Sequence, residues 1–262
     1  MIPRSHITAW RASAPWISDA QVEQDLIISR MLVDLFRDSP IKNKLAFRGG
    51  TALHKLFLAP AVRYSEDIDL VQINAEPIGP VLDVIRKRFD AMLGTPKWDQ
   101  KAGTVTLYYR TESEIPPTMP LRIKVEINTR EHFTAFGYKK HRFKLESHWE
   151  SGECEITTYQ LEGLLGTKLR ALYQRRKGRD LLDLWLGLTA GKADGEKIVK
   201  AFKKYIAEDG LKISKKEFQL NLKQKISNTS FLGDTNGLLR PDIVYDPQQA
   251  YNVVQKSLVD LL

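Results

Sequence analysis

The sequence predicts an α+β region followed by a helical region, and three observations predict it. Short apolar runs bounded by turn residues alternate with segments of helical periodicity as far as Thr129. Beyond Thr157 only the helical period remains. Between positions 65 and 71, Ile68 and Leu70 alternate with Asp67 and Asp69, the two-residue period of a strand whose faces differ in chemistry. A boundary near residue 156 therefore separates an α+β domain, 1–156, from a helical domain, 157–262.

Taken in order, Ser18 with Gln21 has the form of a capping box, and Val22, Leu26, Ile27, Met31, Leu32 and Leu35 follow at helical spacing, which predicts a helix over 19–38. The run 44–48 ends in Gly49-Gly50 and passes into 51–58, a strand, a tight turn and a helix that Pro60 stops. Positions 65–71 form the carboxylate-bearing strand, and 77–93 a further helix. Strands follow at 104–110 and 121–129, parted by Ile115-Pro116-Pro117. Helices are then expected at 158–176, 179–190, 194–208, 214–226 and 247–261. No repeat and no low-complexity segment interrupts the pattern.

Composition narrows the classes. Hydrophobic residues at 42% and charged ones at 27% exclude a disordered or fibrous chain. Forty Lys plus Arg against 32 Asp plus Glu leave a net +8, which favours polyanionic partners such as nucleic acid or nucleotides. Cys154 is the sole cysteine, so no internal disulfide forms and a reducing, cytoplasmic setting is expected. The N-terminus lacks the apolar core of a signal peptide, and no run approaches the ~18 apolar residues of a bilayer span, so no membrane partner is expected. His6, His54, His132, His141 and His148 show no zinc-site spacing, and neither a Walker loop nor Gly-X-Ser-X-Gly occurs. Trp10, Trp16, Trp98, Trp149 and Trp185 read as packing residues, and His54 as a residue on the outer or phosphate side of its helix.

Asp67-Ile68-Asp69 carries the most chemistry. Aspartates at i and i+2 of a strand project to one side, where they can share hard cations such as Mg²⁺. With a third carboxylate such a pair can hold two ions that activate a hydroxyl and clamp a nucleoside triphosphate. Glu126 is the candidate, because Lys124, Glu126 and Asn128 share the face opposite Val125 and Ile127; Glu131 is the fallback. A solvated strand face also carries Asp-X-Asp pairs. Gly49-Gly50-Thr51 lies between strand and helix, where bare backbone and free N–H groups can cradle phosphate, although the turn can equally serve geometry and Thr51 a plain N-cap.

Together, 47–55 (Phe-Arg-Gly-Gly-Thr-Ala-Leu-His-Lys), 63–70 (Arg-Tyr-Ser-Glu-Asp-Ile-Asp-Leu), Lys168 to Leu172 and Arg179-Asp180-Leu181-Leu182-Asp183-Leu184 resemble the AbiEii toxin family of nucleotidyltransferases, over about 45–190. The resemblance implies a polymerase-β-like nucleotidyltransferase core, a mixed β-sheet flanked by helices, with a C-terminal helical domain that contributes basic active-site residues. It implies that Asp67, Asp69 and Glu126 bind Mg²⁺, as two ions. Gly49, Gly50 and Thr51 would hold the NTP, aided by Lys55, Arg63, Ser65, Lys168, Arg176, Arg179 and Asp180. Lys168 and the Arg-Asp-X-X-Asp group would be active-site parts, with Asp183 orienting Lys168 or the acceptor. Asp180 and Asp183 could equally cap a helix or pair with Arg176 and Arg179.

The implied activity is Mg²⁺-dependent transfer of NMP from an NTP to an acceptor hydroxyl, with a tRNA 3′ end favoured. The implied setting is the toxin half of a toxin–antitoxin or phage-defence pair, with an antitoxin partner. A protein or small-molecule acceptor, and a non-enzymatic RNA or protein binder with a degenerate core, are the alternatives. Ten lysines over 192–225, with Lys139, Lys140, Arg142 and Lys144, could form an RNA track. Phe202, Tyr205 and Phe218 among them could stack on bases or form the buried stripe of amphipathic helices.

Overall fold

A computed structural model describes residues 2–37 and 39–262. Its chain divides into two compact units, Met1–Phe133 with Tyr138–Thr158, and Thr134–Gly137 with Tyr159–Leu262.

The first unit is built on a seven-stranded sheet. Its strands are β1 (Leu45–Arg48), β2 (Asp67–Gln72), β3 (Lys97–Lys101), β4 (Thr104–Glu112), β5 (Pro120–Asn128), β6 (Tyr138–Glu146) and β7 (Ser151–Tyr159), in the order β3-β4-β5-β2-β1-β7-β6. The sheet is mixed: β2 runs parallel to β5 and antiparallel to β1, while β1 runs parallel to β7. Its helices are α1 (Arg4–Trp10), α2 (Asp19–Phe36), α3 (Gly49–Ala52), which continues as a π-helical turn over Leu53–Phe57, and α4 (Gly79–Leu93).

The expected capping box starts α2, with Gln21 N donating to Ser18 Oγ and Ser18 N to Gln21 Oε1, both at 3.2 Å. The helix is buried well beyond one stripe, so its polar side chains need partners. Asp25 accepts from Trp10 Nε1 at 3.0 Å and Lys55 Nζ at 2.9 Å, Gln24 Nε2 donates to Arg122 O at 2.9 Å, and Glu23 accepts from Glu114 N at 2.9 Å. Position 38, the expected end of this helix, lies outside the described residues.

Several expectations need correction. Strands β3, β6 and β7 and helix α1 escape the period-two and helical readings. All five residues of β3 are exposed, and β6 has charged side chains at alternate exposed positions, so neither shows the apolar alternation of a half-buried strand. The helix expected from 158 begins at Leu161 instead, because Thr158 pairs with Phe47 in the sheet and donates from Oγ1 to Phe47 O at 2.7 Å. Trp98 is 60% exposed on β3, outside any core. The described helices include none long and apolar enough to cross a membrane.

The second unit is helical: α5 (Leu161–Gln174), α6 (Gly178–Thr189), α7 (Gly195–Glu208), α8 (Lys215–Ile226), α9 (Thr229–Leu232) and α10 (Pro247–Ser257), with a 3₁₀ turn over Val259–Leu261. Leu164, Leu165, Leu169, Leu172, Leu181, Leu182, Ile198, Phe202 and Phe218 are its buried centre, each contributing about 1.5–3 kcal/mol by leaving water. The close crossing of α5 and α7 depends on Gly166, where a Cβ would lie 2.5 Å from that of Ala201.

Candidate active site

On β2, Ile68 and Leu70 are buried, which turns Asp67 and Asp69 to the opposite face. On β5 the alternation is the same: Val125 and Ile127 are buried, and Lys124, Glu126 and Asn128 face the other way. Parallel register sets Asp67 beside Lys124 and Asp69 beside Glu126, so both strands present their charges on one face. Lys124 lies among the carboxylates, with Nζ 2.8 Å from Glu126 Oε2 and 3.3 Å from Asp67 Oδ2.

Electrostatics follows from this crowding. Burial, then the like charges of Asp67 and Glu126, raise the pKa of Asp69 above the ordinary aspartate range, and Lys124 and Arg48 only partly offset this. Burial works against the charge of Lys124 as well, yet its hydrogen bond to Glu126 and the charges of Asp67, Glu126 and Asp69 together hold its pKa above the usual lysine range. Sequence reasoning placed Lys124 on the face but missed it as a member of the site. The local signal was its spacing of two residues before Glu126 on one strand face; its place beside Asp67 comes only from the register of β2 against β5.

The glycine turn abuts this row from the other side. Gly49 has φ +80°, and a Cβ there would lie 2.0 Å from Asp69 Oδ2. At Gly50 a Cβ would come within 2.4 Å of Arg63 Nη2. Thr51 is neither an N-cap nor open to a ligand, which corrects both expectations. Arg48 occupies the N-cap position, and Thr51, 1% exposed, donates to Asp67 O at 2.5 Å and lies 2.8 Å from Ser65 Oγ. Its hydroxyl fastens the turn to the start of β2.

Other nominated residues are engaged elsewhere. Lys55 is drawn to α2 by Asp25 and Ser29, each at 2.9 Å, so the assignment to nucleotide is revised. Arg63 is buried, donating to Tyr64 O at 3.0 Å. Glu131, the fallback carboxylate, forms an ion pair with Arg48. His54 is 2% exposed, a correction to the outer position expected of it.

A second cluster lies within the helical unit. Asp180 and Asp183 stand one turn apart on α6, both fully buried, and converge on Lys168 of α5 at 3.4 and 2.9 Å. Arg175 closes the cluster with a two-pronged contact to Asp180, at 2.7 Å from Nε and 2.8 Å from Nη2. The expected partners were Arg176 and Arg179. Instead, Arg176 is exposed, and Arg179 lies 3.9 Å from Asp234. Lys177 is the N-cap of α6, so Asp180 is not a cap. Burial alone would raise the pKa of Asp180, but Lys168 and Arg175 outweigh it and leave the carboxyl below its ordinary value. Nearby, Lys225 donates to the last carbonyls of α5, those of Leu172 and Tyr173, and burial pulls its ammonium down to about 8.

Phe202, Tyr205 and Phe218 are at most 1% exposed, so they form the buried stripe and are closed to base stacking. Two aspartates and a glutamate are hard oxygen donors of the kind Mg²⁺ takes, and their mutual repulsion on the sheet face favours an added cation. Among the described residues no group of three or more His, Cys, Asp or Glu side chains is already drawn together as a metal cage.

The sequence model described as "Nucleotidyl transferase AbiEii toxin, Type IV TA system" matches residues 30–251. No curated protein matches the chain by sequence. Among solved structures the fold is similar to MenT4, a nucleotidyltransferase toxin from Mycobacterium tuberculosis H37Rv, at TM-score 0.57 and 16% identity, over 100% of this chain and 99% of that one. It is also similar to a candidate nucleotidyltransferase from H. pylori, at TM-score 0.55 and 15% identity, over 94% of this chain and 95% of that one.

Proposed function

Because this chain belongs to the AbiEii family of nucleotidyltransferase toxins of type IV toxin–antitoxin systems, we propose that it transfers NMP from an NTP to the 3′ hydroxyl of a tRNA, with Asp67, Asp69 and Glu126 holding Mg²⁺. The observation that carries this reading is the meeting of two elements at Asp69: Gly49, where no side chain fits, and a strand face shared with Asp67 and Glu126.

In the proposed reaction the acceptor oxygen attacks the α-phosphorus, the bond from that phosphorus to the β-phosphate oxygen breaks, and pyrophosphate leaves with the electron pair. Bound Mg²⁺ would supply positive charge to the phosphate oxygens and lower the pKa of the acceptor hydroxyl. Gly49 and Gly50 let the turn close against Asp69 and Arg63, and the backbone of that turn is the proposed seat of the triphosphate. Glu126, part-exposed beside Asp69, is positioned to help accept the hydroxyl proton. Lys168 is the proposed phosphate-binding cation, held by Asp183 and Asp180 with its side chain 8% exposed. An antitoxin encoded beside the gene is the proposed partner.

The test is incubation of the purified protein with Mg²⁺, each labelled NTP in turn and total tRNA. Label at tRNA 3′ ends, lost in Asp69→Asn, is the expected result. Label in protein alone would replace the acceptor, and no label with any NTP would overturn the reading.

A further inference from the structure

We propose that Lys124 is an exchangeable counter-cation: its ammonium occupies the charge position between Asp67 and Glu126 until a divalent cation displaces it, and so sets the affinity of the site for metal. This rests on the reading that these carboxylates hold a metal.

The argument is one of placement. Lys124 is the register neighbour of Asp67 and sits two residues before Glu126, so both carboxylates lie within reach of one ammonium. The contacts are 3.3 Å and 2.8 Å, the second at the distance of a charge-assisted hydrogen bond. Asp69, the third member of the row, is boxed in by Gly49 on one side and paired in register with Glu126 on the other. Three acidic groups on a partly buried face repel one another, and a lysine there lowers the cost of gathering them. Lysine suits an exchangeable role better than arginine does, because its compact charge on a flexible four-carbon stem can swing away without leaving a planar fork to be satisfied. The side chain is 20% exposed, so it has an outlet toward solvent. A cation arriving at the carboxylates competes with Nζ for the same oxygens, which makes the lysine a regulator of occupancy.

Mn²⁺ binding, followed by electron paramagnetic resonance and calorimetry without nucleotide, tests this on the full chain. Lys124→Met is expected to bind Mn²⁺ about tenfold more tightly than the parent, equivalent to about 1.4 kcal/mol. Lys124→Arg, which keeps the charge and guards against a folding artefact, is expected to bind no more tightly than the parent. Melting temperature gives a second readout: Lys124→Met loses stability without metal and gains more from Mn²⁺ than the parent does. Equal or weaker Mn²⁺ binding by Lys124→Met, with parent binding abolished in Asp69→Asn, would overturn the counter-cation role and leave the metal site standing. Absence of Mn²⁺ binding in both parent and Lys124→Met would overturn the metal site itself.

Discussion

The two charged clusters of this protein are built on opposite principles. On the sheet, three carboxylates share one lysine, the groups remain part-exposed, and Asp69 is held above its ordinary pKa by burial and its neighbours. In the helical unit, Asp180 and Asp183 meet Lys168 and Arg175, the charges balance, and both aspartates are fully buried. The first is an arrangement short of positive charge. The second balances its own charges, so it shows no comparable deficit of positive charge.

The sharpest way to break this contrast is Asp69→Asn. Nucleotidyl transfer is expected to fall by about a thousandfold, while the metal-free melting temperature stays level or rises because the folded state disfavours an ionised Asp69. Label incorporation and thermal melts read the two effects, and a parallel loss of stability would refute the strained-cluster description. Asp183→Ala should do the reverse to the fold. Removing the nearer carboxylate of Lys168 leaves a buried excess of positive charge and is expected to cost about 3 kcal/mol in urea unfolding, and a cost under about 1 kcal/mol would show the helical cluster is not self-reliant.

Gly49→Ala comes next. Positive φ and the approach to Asp69 Oδ2 predict a loss of about 1–2 kcal/mol together with weakened NTP binding, measured by melts and fluorescent-nucleotide titration. The smallest effect is on acid stability. Asp180 has a lowered folded pKa, so its contribution is fully present above the ordinary aspartate value of about 3.9 and fades as pH falls through the depressed one. Asp180→Asn should therefore flatten the acid limb of a urea-midpoint profile.

Much of this frame was legible in the chain itself. The Ser18–Gln21 box, the helices of the second unit and the alternation that turns Asp67 and Asp69 away from Ile68 all express local periodicity, which a sequence carries openly. What was hidden depended on neighbours far along the chain. Thr51 reads as a cap or phosphate ligand until β2 closes over it, and Lys55 as a phosphate lysine until Asp25 of α2 reaches it. Arg175 is indistinguishable from Arg176 in sequence, yet only one of them lies on the side of Asp180. Lys124 needed the register of β2 against β5, which no local pattern encodes.

The outermost strands carry a consequence of their own. At one margin β3 is exposed throughout and bears Lys97 and Lys101, and at the other β6 directs Lys140, Arg142 and Lys144 to solvent. An open sheet border is a template on which further chains can add and fibrils can grow, and charged side chains along both borders disfavour such stacking.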